Sequence, residues 1–175
     1  MKLLPLLLLF AAPVFAQDRL PDYGTIEDIK GMTKLYVTAS DDDSRTTIVD
    51  LLKGYSGVTL VNRSQDADFI LEYSTLTRDV AANSGPGAMG ASKHEKSQMR
   101  AYVSRPDGSK LIAWTETETL DVTNGMVFGA PNETNLTHHF VKALQKARNE
   151  ETYSLRKLYS ESQKVKKQEK KKSKG

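Results

Sequence analysis

The 175 residues include no cysteine, and that one absence removes several chemistries together. No disulfide can staple the fold, no thiolate can act as nucleophile or zinc ligand, and no haem can attach through sulfur. Long apolar runs are missing after the first sixteen residues, so no later stretch has the roughly 20 apolar residues that a membrane-spanning helix needs. Histidine is scarce: His94, His138 and His139 are all there is. His138 and His139 are neighbours, about 100° apart on a helix, and do not converge on one metal as an i, i+4 pair would. No Gly-x-Ser-x-Gly elbow occurs, because Gly54-Tyr55-Ser56-Gly57 has the wrong spacing. No internal repeat is found.

The chain opens with Met1-Lys2, an apolar run from Leu3 to Phe15, and small residues at Val14 and Ala16 ahead of Gln17-Asp18. A cationic start, an apolar stretch and small residues before a cut describe a secretory signal peptide over residues 1–16. The run is too short to be a membrane anchor. With no cysteine at the cut, a lipid-anchored lipoprotein is excluded. The expectation is therefore export, to a periplasm or the extracellular space. An exported chain without disulfides fits a bacterial envelope; the sequons Asn62-Arg63-Ser64, Asn132-Glu133-Thr134 and Asn135-Leu136-Thr137 would matter only in a eukaryote.

Charge is unevenly spread. The chain totals +3, yet residues 164–175 hold seven Lys and one Glu for +6, and Lys2 adds +1, which leaves −4 on residues 17–163. The basic balance belongs to the tail, so it is no argument for a nucleic-acid-binding fold.

After a polar lead-in over residues 17–32, with a helical turn placing Ile26 and Ile29 against the body, the pattern predicts one α+β domain over residues 33–160. Its order is β-α-β-β-(long loop)-β-β-α, a mixed sheet with helices packed on it. Leu35, Val37 and Ala39 alternate with Tyr36 and Thr38 as in a strand. Asp41-Asp42-Asp43 then suits the positive end of a helix, whose apolar side is Ile48, Val49, Leu51, Leu52 and Tyr55. Gly54 and Gly57 are expected to end it in the left-handed conformation. Val58 to Val61 is a short strand, parallel to the first because a strand-helix-strand crossover normally makes it so. A strand from about Asp68 to Leu76 places Phe69, Leu71 and Tyr73 on one face. Residues 77–98 read as a long polar connection, mobile or functional. A hairpin follows from Met99 to Thr119 around the turn Arg105 to Ser109, then a loop from Asp121 to Asn132. Leu136, Phe140, Val141, Leu144 and Ala147 mark a closing helix capped by Asn132 or Asn135, which breaks near Asn149 or continues to about Tyr159. Residues 161–175 are expected to be a disordered, lysine-rich tail.

Candidate sites are few. Gly85-Pro86-Gly87-Ala88-Met89-Gly90 matches the dinucleotide fingerprint, but it lacks the strand before it and the helix after it that a pyrophosphate site requires. Asp41-Asp42-Asp43 lacks the alternating oxygens and glycine turn of a calcium loop. Glu116 and Glu118 share a strand face about 7 Å apart, which invites a glycosidase comparison but reads as a solvated sheet. No catalytic residue, cofactor or metal is predicted. The remaining feature is the tail: Lys164, Lys166, Lys167, Lys170, Lys171, Lys172 and Lys174 would be drawn to anionic lipid, lipopolysaccharide, cell-wall polymer or nucleic acid, or would serve solubility alone.

Lys34-Leu35-Tyr36-Val37 with its helix, the Asp66-Ala67-Asp68-Phe69-Ile70-Leu71 strand entry, the Pro106-Asp107-Gly108 to Trp114 hairpin and Phe140-Val141-Lys142-Ala143-Leu144 together carry a resemblance. Over residues 34–147 the chain resembles small secreted or periplasmic bacterial domains, including uncharacterised envelope proteins and the N-terminal domains of TolB-type and CsgG-type proteins. That resemblance implies a mixed sheet with helices on it and a role in envelope assembly or protein contacts, and it brings no functional residues. The expected function is a non-enzymatic, exported binding domain of the cell envelope, with an envelope protein or an anionic polymer or lipid surface as partner. Two alternatives stand beside it: a small hydrolase of envelope polymer using Asp/Glu acid-base chemistry, and an anionic-surface binder acting through its basic tail.

Overall fold

Strand β1 (Lys34–Ala39) lies inside the sheet of a computed structural model that describes residues 24–76, 93–104, 110–123, 126–127 and 131–173. Helix α1 (Asp42–Leu52) follows, then β2 (Thr59–Leu60) and β3 (Phe69–Leu76). Next come β4 (Lys93–Ser104), β5 (Lys110–Thr123) and β6 (Met126–Val127), and finally α2 (Asn132–Ala147) and α3 (Leu155–Lys172). The six strands form one sheet in the order β2-β1-β3-β4-β5-β6. β1 runs parallel to β2 and β3; β3, β4, β5 and β6 are successively antiparallel. The sheet is therefore mixed and the fold α+β, in the predicted order, with two short strands and one helix added or resized.

One sheet face is built by period-two alternation. Leu35, Phe69 and Val103 are level across β1, β3 and β4, and Val37, Leu71 and Ala101 form the next row. All six are buried. Helix α2 covers this face with Leu136, Phe140, Val141 and Leu144, and α1 with Ile48 and Leu52. Phe140 sits between Phe69 and Trp114, with ring centroids 6.2 and 5.5 Å away, in the inclined geometries that aromatic quadrupoles favour. The opposite face carries Tyr36, Glu72, Arg100 and the Thr115/Thr117 side of β5.

Local chemistry sets the element ends. Asp41 starts α1 by accepting from the Ser44 N–H at 2.7 Å. That bond holds its carboxyl below the usual carboxylate range. Asp68, in the Ala-Asp strand entry, accepts from the N–H groups of Thr33 and Lys34 at 2.9 and 2.8 Å, so it ties the start of β3 to the start of β1. β2 is too short to pair with all of β1. Beyond it Arg45 Nε donates to Val37 O at 3.1 Å, so a side chain takes the place of a strand along that edge.

Several expectations are corrected. Residues 93–98, assigned to the long connection, belong to β4, because the backbone ladders to β3 and β5 hold them whatever their side chains. The loop expected from Asp121 is partly strand, since β5 reaches Thr123 and returns as β6. Neither Asn132 nor Asn135 caps α2. Pro131 stands at that position, and Asn132 lies in the first turn, buried, donating to Ser97 Oγ at 2.8 Å. Gly54 and Gly57 are not left-handed; Gly24 is the only glycine with positive φ among the described residues. Instead both permit close approach. A Cβ on Gly54 would lie 2.4 Å from Leu158 O, and one on Gly57 would meet the Tyr55 ring and Arg148. The break in the closing helix falls at Asn149, which has φ 58°, a conformation asparagine tolerates better than most residues.

The largest correction concerns the tail. Residues 161–172, expected to be disordered, continue α3. Leu158 and Ser162 are buried against Gly54, Lys166 pairs with Asp50 at 2.5 Å and Glu169 with Lys53 at 3.0 Å. Contacts one turn apart on a single side, Leu158, Ser162, Val165 and Glu169, offset the repulsion among the lysines. The signal peptide of residues 1–16, residues 17–23 of the lead-in, the turn from Arg105 to Ser109 and the glycine motif at Gly85 to Gly90 lie outside the described residues.

Candidate functional site

The predicted lysines do not act as a uniform charge cloud, because the helix sorts them. At 100° per residue, Arg156, Lys164, Lys167 and Lys171 fall on the side opposite Leu158, Ser162 and Val165, with Lys170 beside them. All five are exposed. Lys164 pairs with Glu161 at 2.7 Å. Lys167, Lys170, Lys171 and Lys172 have no ion-pair partner among the described residues. Lys166 faces inward to Asp50 and belongs to the docking contact; Lys174 lies outside the described residues. α3 is 18 residues long, about 27 Å at 1.5 Å per residue. Its last turns therefore carry a row of ammonium groups on a surface fixed to the domain.

A second polar cluster ties α2 to the N-terminal half. Arg148, just past α2, donates from Nε to Lys30 O at 2.8 Å, from Nη2 to Met32 O at 2.5 Å and from Nη1 to Gly57 O at 2.7 Å. Nη1 also donates to the Tyr55 hydroxyl at 3.0 Å, and that hydroxyl donates to Glu150 Oε2 at 2.8 Å. Burial and the Glu150 carboxylate push the Tyr55 hydroxyl up to about 12, against the opposing pull of Arg148. Four of the five guanidinium N–H donors are used on the fold itself, so this cluster is a clamp. Sequence reading missed it. The only available signal was Tyr55 between two glycines.

The two histidines of α2 also make contacts within the fold. His138 Nε2 donates to Tyr153 O at 2.8 Å, which helps hold the link between α2 and α3. His139 Nδ1 donates to Glu116 Oε1 at 2.7 Å and ties α2 to β5. Glu116 therefore lies under a helix, where a solvated sheet had been expected. Glu116, His139, Lys142, Ala143 and Lys146 line a shallow cleft of about 300 Å³. Glu118, the second carboxylate of the sequence pair, does not line it. No group of three or more metal-ligating side chains occurs among the described residues. The side chain of His94 is not among those described, and Asp41, Asp42 and Asp43 are exposed at the start of α1.

No family model and no curated protein matches this sequence. Solved structures with a similar course of chain include uncharacterised lipoprotein B from Nitrosomonas europaea, 12% identical over 77% of this chain and 79% of that one, with a TM-score of 0.39. Lipoprotein GNA1162 from Neisseria meningitidis is 10% identical over 65% of this chain and 96% of its own, with a TM-score of 0.34. A Xanthomonas campestris protein of the family DUF330 is 14% identical over 75% and 88%, with a TM-score of 0.33. Two of these three are lipoproteins by name, whereas the present chain has no cysteine. No helix among the described residues is long and apolar enough to cross a membrane.

Proposed function

We propose that this protein is an exported, non-enzymatic binding domain of the cell envelope that contacts an anionic polymer or lipid surface through the outward face of α3. The observation that carries the reading is the sorting of charge on that helix. Lys166 is used inward against Asp50, while Lys164, Lys167, Lys170 and Lys171 project from the exposed side. A lysine held near an anionic surface contributes about 1 kcal/mol, so four of them amount to about 4 kcal/mol at most. Export rests on residues 1–16 alone. The TolB-type and CsgG-type resemblance would supply the class of domain and no residue roles. The hydrolase reading is less well supported, because it needs two carboxylates around a bound sugar and the Glu116 cleft offers one, already bonded to His139.

The test is co-sedimentation with phosphatidylglycerol-containing vesicles between about 0.01 and 1 M salt, over which the screening length falls from about 30 to 3 Å. Binding at low salt and release at high salt are expected. Substituting Lys164, Lys167, Lys170 and Lys171 by Gln should abolish binding, and Lys166→Gln should leave most of it. Equal binding by the fourfold variant, or binding indifferent to salt, contradicts the proposal.

A further inference from the structure

The cleft between α2 and β5 holds chemistry that the fold does not consume. His139, Lys142, Ala143 and Lys146 recur at i, i+3, i+4 and i+7, so they form one stripe of α2, and Glu116 faces them from β5. The space they line is about 300 Å³, at the lower end of small-ligand sites. Lys142 and Lys146 are exposed. Neither has an ion-pair partner among the described residues. Ala143, between them on the stripe, has too short a side chain to fill the gap.

The bond to Glu116 decides what His139 presents. A carboxylate only accepts, so the proton of that 2.7 Å bond sits on Nδ1. In the neutral ring Nε2 is then a bare acceptor, and no described residue donates to it. With the ring neutral, two ammonium groups face one carboxylate, and the cleft carries a net charge of +1. It offers two cationic donors and one neutral acceptor. A monoanion that brings its own hydroxyl matches that set, and a hydrogen-phosphate monoester is such a group. A carboxylate or a phosphodiester supplies the charge but no proton for Nε2. A neutral sugar leaves the lysines uncompensated.

We infer that this cleft binds the phosphate of a small phosphomonoester. Two phosphate oxygens accept from Lys142 and Lys146, and one proton is shared between a third oxygen and His139 Nε2. Glu116 holds the ring in the tautomer that makes this possible. Among the described residues, the other titratable groups near the ring are His138 and Glu118. The His138 ring centroid is 6.0 Å away and its Nε2 is spent on Tyr153 O, while Glu118 is two residues along the same face of β5. Neither lines the cleft. The cleft shares no residue with the outward lysines of α3, so the two proposals stand or fall independently.

The experiment titrates the full chain with methyl phosphate and with dimethyl phosphate, following the His139 ring and the Lys142 and Lys146 amides by NMR. The monoester should bind at least ~10-fold more tightly than the diester, equivalent to about 1.4 kcal/mol. A phosphomonoester gives up its second proton near pH ~6. Above about pH 7.5 the shared proton must therefore come from solvent, and affinity should fall ~10-fold per pH unit. Lys142→Gln and Lys146→Gln, at exposed positions, should keep the fold and each weaken binding. His139→Asn keeps an N–H for Glu116 but removes Nε2, and should lose the monoester preference and the pH slope together. Glycerol phosphate and short-chain phosphatidic acid then separate a free ester from a lipid headgroup: the tighter of the two names the source. The inference is overturned if the diester binds as well as the monoester or if affinity is flat over that pH range. It is equally overturned if the His139 and lysine signals do not move, or if replacing the four outward lysines of α3 by Gln removes the binding.

Discussion

Arg148 shows how much of this fold rests on a single side chain. Its guanidinium closes on the carbonyls of Lys30, Met32 and Gly57 and on the Tyr55 hydroxyl, joining the end of α2 to two loops far away in sequence. Arg148→Met keeps the stem but strands those acceptors, each costing about 1–3 kcal/mol when buried and unpaired. A loss of about 3 kcal/mol in urea unfolding is expected, and Arg148→Lys should recover less than half of it, because an ammonium cannot span the fork. Tyr55 carries a pH signature. Its ordinary value is about 10 and the fold pushes it up to about 12, so the neutral hydroxyl is the form the fold favours. The stability from this group is complete below about pH 10 and declines as the pH rises towards 12. Over that window the parent chain should lose stability faster than Tyr55→Phe, measured by denaturant midpoints of both. Parallel curves would contradict the assignment. Neither residue was legible beforehand: an arginine after a helix is ordinary, and its partners are scattered from Lys30 to Glu150.

At the level of elements, close backbone packing governs α3. Gly54 allows Leu158 O and Ser162 N to approach where a side chain would otherwise stand. Gly54→Val should undock α3 and leave the sheet and α2 intact, because Gly54 meets Leu158, Ser162 and Leu51, whereas α2 is held to the sheet by Phe140 against Phe69. Limited trypsin digestion should then cut within 156–172 much faster in the variant, with circular dichroism still showing the sheet. Equal cutting rates would mean that α3 is not held this way. Strands with alternating apolar residues were readable, as at Leu35-Val37 and Phe69-Leu71-Tyr73, because one face must be buried. The polar half of β4 from Lys93 was not, since main-chain ladders hold it and its side chains have no period. α3 was misread for a related reason. Its docking stripe depends on a serine, a glutamate and a glycine on another element, none of which adds hydrophobicity to a sequence window.

For the whole molecule, the mixed sheet and its helix layer follow from the order of the elements, and that order was legible from β1 through α2 except for β6. What the sequence did not disclose was that the basic C-terminal segment is part of the body. A disordered tail would spread its charge over a large volume. A docked helix fixes Lys164, Lys167 and Lys171 about 5–6 Å apart from turn to turn, on a surface that a patterned anion can meet. The fixed lysine row therefore depends on α3 being folded and attached in solution. Amide hydrogen exchange of the intact chain, resolved by residue, tests this most directly. Protection across 158–169 approaching that of α1 is predicted, falling only over the last turn. Exchange at unstructured rates throughout 155–172 would contradict it.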